Sequence, residues 1–214
     1  MLRFVKGCGA VATMLTLALG AATLQAQVGK SQGVVDVNTV AEKDLAAMPN
    51  MTAAIAKALV AQRPFNSVLD LHKLLLSQGL TAEQAMAFYG KAFVHINLNT
   101  ATAEEILLVP GAGRRMAHEF EEYRPWKAYA QFDKEIGKYV GSEATAKLAQ
   151  YTFIPMHPNT ASDADLQTIP GATATTVTTI KGGRPYASAL AVEQALVKAT
   201  NAKEGKRLSR YFAM

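Results

Sequence analysis

The chain has 214 residues, a single cysteine, and 22 basic against 17 acidic residues, so its formal net charge is +5. One cysteine cannot form an internal disulfide, which excludes a disulfide-stabilised scaffold. The small positive charge permits contact with nucleic acid but does not by itself indicate it, because strongly electrostatic binders carry a clear basic excess on one face.

The N-terminal residues have the order of features expected of a secretory signal peptide. Two basic residues, Arg3 and Lys6, precede an apolar run over residues 10–24 and then the small residue Ala26, a pattern typical of a cleavage site. We therefore expect a cleaved signal over residues 1–26 and a periplasmic or secreted mature protein. An uncleaved segment that anchors the protein in the membrane is the alternative.

Cleavage would also change the composition of the protein. The signal contains Cys8, so the mature chain would have no thiolate to ligate a metal, and its formal charge would fall to +3. No later apolar stretch is long enough to cross a bilayer, so we do not expect the mature protein to span the membrane. Residues 27–34 are expected to form a linker.

The rest of the chain repeats one pattern three times, at a spacing of 61 and then 60 residues. Each copy has an Asn-Thr pair, a proline 11 residues after the asparagine, and an Arg-Pro-aromatic triplet 25 residues after it. Agreement at so many fixed offsets is very improbable by chance, so we interpret the copies as tandem units. The units cover residues 35–95, 96–155 and 156–214.

Each unit is predicted to begin with a short helix that ends at the proline. In the second and third units a hydroxyl residue and an acid stand three residues apart, as in helix-capping pairs; these are Thr102 with Glu105 and Ser162 with Asp165. The first unit has Ala41 at the cap position. The nearest substitute, Thr39 with Glu42, predicts that this helix begins two residues earlier.

A second helix is predicted after a four-residue turn and ends before the Arg-Pro pair. It covers residues 53–62, 117–123 and 174–180 in the three units. The aromatic residue after each Arg-Pro is expected to pack onto the helix pair, with base stacking as the minority alternative; these residues are Phe65, Trp126 and Tyr186.

The remainder of each unit is predicted to be a second, weaker helix pair. Its turn falls at residues able to adopt the left-handed conformation, and a tyrosine closes each unit. The turn residues are Gly79, Gly141 and Asn201, and the tyrosines are Tyr89, Tyr151 and Tyr211. Short strands in "VVDV" and "FVHINL" are an alternative, but the prolines of "FIPMHP" argue against them. We therefore predict an all-α protein with about four short helices in each unit.

The stretch "NTATAEEILLVPGAG", followed by Arg-Pro-aromatic, resembles the helix-hairpin-helix module of the ComEA-like family of secreted competence DNA receptors. The resemblance covers nearly the whole mature chain, three times over. It implies a SAM/ComEA-like fold in which two hairpins pair into one compact unit. It also implies binding of double-stranded DNA, without sequence preference, through backbone N–H groups of the glycine turn.

The turn of the second unit has the residues that such an activity needs. Unpaired amides at the start of a helix carry partial positive charge, and glycine lets a phosphate approach them closely. Arginines that open the following helix could hold neighbouring phosphates by charge-assisted hydrogen bonds. The candidate DNA-phosphate-binding residues are Gly111, Ala112, Gly113, Arg114 and Arg115.

The turns of the other two units depart from this pattern. In the first unit Asn50 and Thr52 replace both glycines, and in the third unit Thr173 replaces the second glycine. Neither turn is followed by a basic pair. Asn50 can still adopt the left-handed conformation and the threonines can still cap helices, so we interpret these turns as structural.

Charge is distributed unevenly between the units. The second unit has eight acids against seven bases, and Glu119 lies four residues after Arg115, where it could neutralise that arginine along the helix. The third unit has seven bases against four acids, concentrated near the C-terminus. This basic end could face DNA, an acidic partner or lipid headgroups, or be a solvated helix face. The candidate auxiliary contacts are Lys127, Lys203, Lys206, Arg207 and Arg210.

No pattern in the sequence predicts catalysis. The four histidines share no metal-ligand spacing with carboxylates, and neither a nucleophile elbow nor a nucleotide-binding loop is present. We expect a non-enzyme with no cofactor, no bound metal and no small-molecule substrate. Two function classes remain: sequence-independent DNA binding in the cell envelope, and a scaffold that uses tandem units for protein contacts in a periplasmic or membrane-associated complex. An extrinsic photosystem II subunit with the same fold resembles the second class, so the fold alone does not decide.

Overall fold

A computed structural model describes residues 33–214, and this part of the chain is mostly helical. The expected all-α character is confirmed at this level. The predicted signal peptide at residues 1–26, and residues 27–32 of the predicted linker, lie outside the described residues. Among the described residues, no helix is long and apolar enough to cross a bilayer.

Eleven helices and four two-residue strands follow one another in the described part of the chain. The first predicted unit contains β1 (Val35–Asp36), α1 (Glu42–Ala46), α2 (Ala53–Gln62), α3 (Val68–Ser77), α4 (Ala82–Tyr89) and β2 (Ala92–Phe93). The second contains β3 (Ile96–Asn97), α5 (Ala103–Leu107), α6 (Arg114–Glu122), α7 (Tyr129–Ala149) and β4 (Thr152–Phe153). The third contains α8 (Asp163–Gln167), α9 (Ala174–Gly182), α10 (Ala189–Ala199) and α11 (Ala202–Ser209).

The first helix of each predicted unit begins where its sequence allows a cap. Thr102 and Ser162 form reciprocal capping boxes with the acids three residues later, as expected. The prediction for the first unit is wrong, because α1 begins at Glu42 with Ala41 as an N-cap that makes no side-chain bond. The Thr39 hydroxyl instead donates a hydrogen bond to the Asp36 carbonyl oxygen at 3.2 Å, which removes it from the helix start.

The turns within the second helix pairs follow the sequence in two cases of three. Gly79 and Gly141 have φ of 92° and 76°, the left-handed values for which glycine is favoured. Gly141 interrupts α7, which is therefore two helices joined at a kink. Asn201 lies in the turn, but the expected left-handed conformation is wrong there, because its φ is −164°. Its side-chain oxygen caps α11 by accepting hydrogen bonds from two backbone N–H groups.

The repeated Asn-Thr pair and the repeated aromatic residue are joined by hydrogen bonds. In each copy the asparagine side chain accepts from the backbone N–H of the aromatic residue and donates to its carbonyl oxygen. The pairs are Asn38 with Phe65, Asn99 with Trp126, and Asn159 with Tyr186. All three aromatic rings are buried, so the prediction that they belong to the core is confirmed and base stacking is excluded for them.

We call the parts of the chain at residues 35–95, 96–155 and 156–214 the first, second and third segments. The arginine of each Arg-Pro pair donates hydrogen bonds to backbone carbonyls near the start of its own segment. The Arg124 Nε and Nη2 atoms donate to Leu98 and Ala101 at 2.8 and 2.5 Å. Arg184 makes the equivalent pair of bonds. Arg63 differs, because only its Nη2 finds a carbonyl, that of Val40 at 2.7 Å. These arginines therefore hold the loop after the second helix against the chain before the first helix.

Parallel β-pairing joins the start of each segment to its end. β1 pairs with β2, β3 pairs with β4, and a single bridge joins Met156 to Phe212. The expectation that proline would prevent ladders is wrong, because Pro155 falls between Phe153 and Met156, where no ladder N–H is needed. The carbonyls that accept the closing bonds belong to Lys91, Tyr151 and Tyr211. Tyr89 is therefore not equivalent to the other two tyrosines, contrary to the prediction.

The segments pack on one another through apolar and polar contacts. Buried apolar residues from Val34 to Ile154 form one continuous core, whereas those from Phe153 to Phe212 form a second. The first and third segments also meet through charged groups, since the Arg210 Nη2 donates to the carbonyl oxygen of His95 at 3.0 Å. Residues far apart in the sequence therefore share buried surfaces.

Candidate nucleic-acid interface

The turn between α5 and α6 is open to solvent on its glycine side. Gly111 and Gly113 are both exposed, and Gly111 has φ of 87°, which favours glycine. A β-carbon added to Gly113 would meet nothing within 4 Å, and one added to Gly111 would lie 3.9 Å from the nearest atom, a methyl of Leu148. Ala112 is buried instead, and its N–H donates to the carbonyl of Val109. No neighbouring part of the described chain covers the turn at Gly113.

The start of α6 differs from the starts of α2 and α9 in having no side-chain cap. Gly113 is its N-cap, with φ of −93°, so this glycine is not required by the backbone conformation. At the equivalent positions the hydroxyls of Thr52 and Thr173 accept hydrogen bonds from first-turn N–H groups. The first-turn amides of α6 therefore have no side-chain partner, and they lie where the helix dipole favours an anion.

The corresponding turns of the first and third segments are engaged in internal contacts. Asn50 adopts the left-handed conformation as expected, with φ of 61°, and its side chain donates to the carbonyl of Gln84 at 3.4 Å. At Gly171 an added β-carbon would lie 2.8 Å from Arg207 Nη2 and 3.0 Å from a methyl of Thr39. Both turns are still exposed at these residues, so their interpretation as structural stays a prediction.

The two arginines after the open turn have different surroundings. Both are exposed, and among the described residues Arg114 has no ion-pair partner. The Arg115 Nε lies 3.8 Å from Glu119 Oε1, and its guanidinium stands 4.6 Å from the ring centre of Tyr139. The expected approach of Glu119 to Arg115 is therefore present. Arg115 is exposed and Glu119 is buried, so solvent screens the arginine side of the pair, and Arg115 is restrained without being covered.

Glu119 and two tyrosines form a polar cluster behind Arg115. Glu119 is buried, and its Oε2 has no hydrogen-bond partner among the described residues. The hydroxyls of Tyr123 and Tyr139 are 2.9 Å apart. The hydrogen bond between these hydroxyls, together with the nearby Glu119 carboxylate, raises the pKa of Tyr139 above its ordinary value. Tyr139 therefore stays neutral and presents its ring to the guanidinium.

The candidate auxiliary residues divide into exposed lysines and engaged arginines. Lys127, Lys203 and Lys206 are exposed. Arg207 is 1% exposed, and its guanidinium donates to both carboxylate oxygens of Glu204 and to the Pro170 carbonyl. The interpretation of Arg207 as a surface contact is therefore wrong, because this side chain fills the space between the third turn and α11.

Arg210 is also committed to the interior of the protein. It is half-buried, bonds the His95 carbonyl, and places its guanidinium 5.7 Å from the ring centre of Phe153. It is therefore not the free surface cation that the sequence suggests. The sequence held one indication that this side of α11 is buried. The small Gly205 and the apolar Leu208 lie one helical turn apart near Arg207, and both are buried in the structure.

A buried hydrogen-bonded pair that the sequence did not indicate lies beside these arginines. Asp36 Oδ2 is 3.1 Å from His95 Nδ1, and both side chains are buried. Burial opposes ionisation of Asp36, but hydrogen bonds from His95 and from the Asn38 N–H, with the nearby Arg207 charge, lower its pKa. The partners are 59 residues apart, so no local spacing could reveal them.

The described residues offer little that would support chemistry. Among residues 33–214, no group of three or more histidine, cysteine, aspartate or glutamate side chains could hold a metal ion. A shallow cleft of about 340 Å³ between the second and third segments is lined by Trp126, Lys127, Met156, His157 and Met214, among others. Its polar lining side chains are Lys127, His157, Thr160 and Asp165. The Asp165 carboxylate accepts hydrogen bonds from Ser162 in the capping box, and His157 Nδ1 accepts from the Asn159 N–H, so both groups have structural partners.

No protein-family model matches the chain, and no curated protein or solved structure compared with it matches either. What the chain does is therefore inferred from the positions of its own residues.

Proposed function

We propose that this protein binds double-stranded DNA without sequence preference, and that the turn from Gly111 to Arg115 holds its phosphates. One observation carries the proposal: the start of α6 combines exposed glycines, first-turn amides without a side-chain cap, and two exposed arginines. The corresponding turns of the first and third segments lack this combination, because threonine hydroxyls cap their helices and no arginine pair follows them.

The binding mode follows from the orientation of helix amides. A phosphate oxygen at the turn would accept hydrogen bonds from the N–H groups that precede the first helical bond, and the α6 dipole would favour its charge. Arg114 is free to reach an adjacent phosphate of the same strand. Such contacts recognise the backbone and not the bases, so every duplex sequence presents the same ligand.

The same proposal assigns the fold and the location of the protein. The three segments are proposed to be tandem helix-hairpin-helix units of the SAM/ComEA-like kind, with boundaries at residues 35–95, 96–155 and 156–214. A cleaved signal at residues 1–26 would place a non-catalytic, cofactor-free protein in the periplasm or outside the cell. Lys127, Lys203 and Lys206 are exposed and remain candidate auxiliary contacts for the duplex.

Salt dependence tests the proposal directly. The purified protein should bind unrelated duplexes with similar affinity, and the affinity should fall as salt rises, because each neutralised phosphate contributes about 0.9 to the log-log slope. Replacing both arginines, Arg114→Ala with Arg115→Ala, should reduce this slope by about one to two. Binding that does not depend on salt, or that is absent at low salt, would contradict DNA as the ligand.

A scaffold for envelope proteins is the second candidate function. It is favoured by the packing of the third segment on the first, where a Thr39 methyl lies beside Gly171 and Arg210 donates a hydrogen bond to the His95 carbonyl oxygen. Co-purification from envelope extracts, with a duplex-binding assay on the same material, separates the two functions. A stable protein partner together with no duplex binding at low salt supports the scaffold.

A further inference from the structure

A basic groove runs between the first and third segments, away from the α5–α6 turn in sequence. Two adjoining depressions of about 310 and 270 Å³ form it. Its walls come from the end of α2 with the following loop and from the start of α11. The principal lining residues are Gln62, Arg63, Asn66, Asn201, Lys203 and Lys206. We call this feature the basic groove.

Three cations line the basic groove, and its acid is already neutralised. Lys203 and Lys206 are exposed, and among the described residues neither has an ion-pair partner. The lining acid is Glu204, whose two carboxylate oxygens accept hydrogen bonds from the buried Arg207 at 2.5 and 2.8 Å. The groove therefore presents a positive surface with amide side chains at its edges.

Arg63 adds a second, independent indication of a ligand. Its equivalents in the other segments, Arg124 and Arg184, use Nε and Nη2 to donate to two backbone carbonyls. Arg63 makes only the Nη2 bond, and its Nε is buried without a hydrogen-bond partner among residues 33–214. The Arg63 guanidinium is therefore less fully paired within the described chain than those of Arg124 and Arg184, while its side chain is half-buried and lines both depressions, where its charge can act on an anion.

We infer that the basic groove binds a phosphate group, held by Lys203 and Lys206 with the Arg63 guanidinium at its base. The phosphate could be a phosphodiester of duplex DNA or belong to a small phosphate compound, since both offer the same charged oxygens. The groove requires both the first and the third segment, so it exists only when these segments are packed together. The site does not use the α5–α6 turn. Its DNA form rests on the proposed function, in which Lys203 and Lys206 are auxiliary duplex contacts, whereas its small-phosphate form does not.

Two double variants of the full chain distinguish binding in the groove from attraction by the overall positive charge. Lys203→Gln with Lys206→Gln removes the groove lysines, whereas Lys57→Gln with Lys198→Gln removes two exposed lysines outside the groove. Inorganic pyrophosphate is the probe, titrated by calorimetry at low salt. Loss of two charge-assisted contacts should weaken pyrophosphate binding at least about tenfold in the groove variant and leave the control variant unchanged.

Two further measurements identify the donor and the source of the phosphate. In NMR spectra the Nε–H resonance of Arg63 should shift on addition of pyrophosphate to wild type, and not in the groove variant. A duplex titration should show a log-log salt slope reduced by about 1.8 in the groove variant if DNA supplies the phosphate. An unchanged slope, with pyrophosphate binding lost, assigns the groove to a small phosphate compound.

The inference is overturned if wild type does not bind pyrophosphate, or if both double variants weaken it equally. A failure of the α5–α6 turn is distinguishable, because Arg114→Ala with Arg115→Ala should change duplex binding and leave the pyrophosphate-induced shift of the Arg63 Nε–H resonance in place.

Discussion

Gly113→Thr should separate stability from DNA binding, because it would change the two in opposite directions. Gly113 is the N-cap of α6 in a backbone conformation open to any residue, and a β-carbon there meets nothing within 4 Å. Threonine stands at this position in the other two segments, where its hydroxyl caps the helix. The variant would therefore give α6 the cap that α2 and α9 already have.

The expected magnitudes follow from that change. A hydroxyl cap, and the smaller freedom of threonine in the unfolded chain, together stabilise the protein by about 1 kcal/mol. For a chain of this length, that raises Tm by about 2–4 °C. The hydroxyl would occupy an amide that the phosphate is proposed to use, and loss of one charged hydrogen bond costs about 1.5–3 kcal/mol. Duplex binding should therefore weaken by about 10- to 100-fold.

Thermal unfolding and duplex titration at fixed low salt measure the two effects on the same preparation. Gly182→Ala is the matched control, because that exposed glycine near the end of α9 also has open space around its missing β-carbon. It should raise stability and leave duplex binding unchanged. A Gly113→Thr variant that is more stable and binds the duplex as tightly as wild type would refute the role of the open α6 amides.

Three other substitutions test the surroundings of the site. Arg207→Met should lower the free energy of unfolding by about 3 kcal/mol, seen as a Tm lower by about 6–12 °C, because it leaves the Glu204 charge and the Pro170 carbonyl without their partner. An unchanged Tm would contradict this. Asp36 has a pKa below its usual value in the folded protein, so its contribution to stability is present above about pH 4 and is lost as the pH falls. Asp36→Asn should therefore lower stability at pH 7 and flatten the acid side of a urea-unfolding profile between pH 2 and 7; a profile as steep as that of wild type would assign the acid response to other groups. Glu119→Gln should free Arg115 and tighten duplex binding by up to about fivefold, and weaker binding would show that Glu119 positions Arg115 productively.

Local features of the fold could be predicted from the sequence where neighbouring residues determine them. The capping boxes at Thr102 and Ser162 involve residues three apart, and the left-handed conformation of Asn50 depends on one residue type. The start of α1 was mispredicted at Thr39, because the Thr39 hydroxyl donates to the Asp36 carbonyl oxygen and does not cap the helix. Competition between a local partner and a helix start is decided by the folded backbone, and sequence spacing does not encode it.

The candidate site was only partly predictable for the same reason. The sequence identified the α5–α6 turn, because glycines and arginines stand together there, and it identified the aromatic residues that are buried in each segment. It failed at Arg207 and Arg210, which resemble a basic surface but are committed to the Glu204 carboxylate and to backbone carbonyls. The sequence of a short helix does not show whether the face that carries a cationic side chain will be buried in the folded protein.

The sequence by itself determined the helical character, the repeated pattern and the capping boxes at Thr102 and Ser162, because these depend on contacts within a few residues or on offsets that recur. Tertiary structure alone decided which polar groups meet. Arg207 and Thr39 lie beside Gly171 of the third turn, Asp36 and His95 come together from opposite ends of the first segment, and the basic groove forms between the first and third segments. Exposure and charge pairing are set by the packing of residues far apart in the chain, and a single sequence does not state which of them become neighbours.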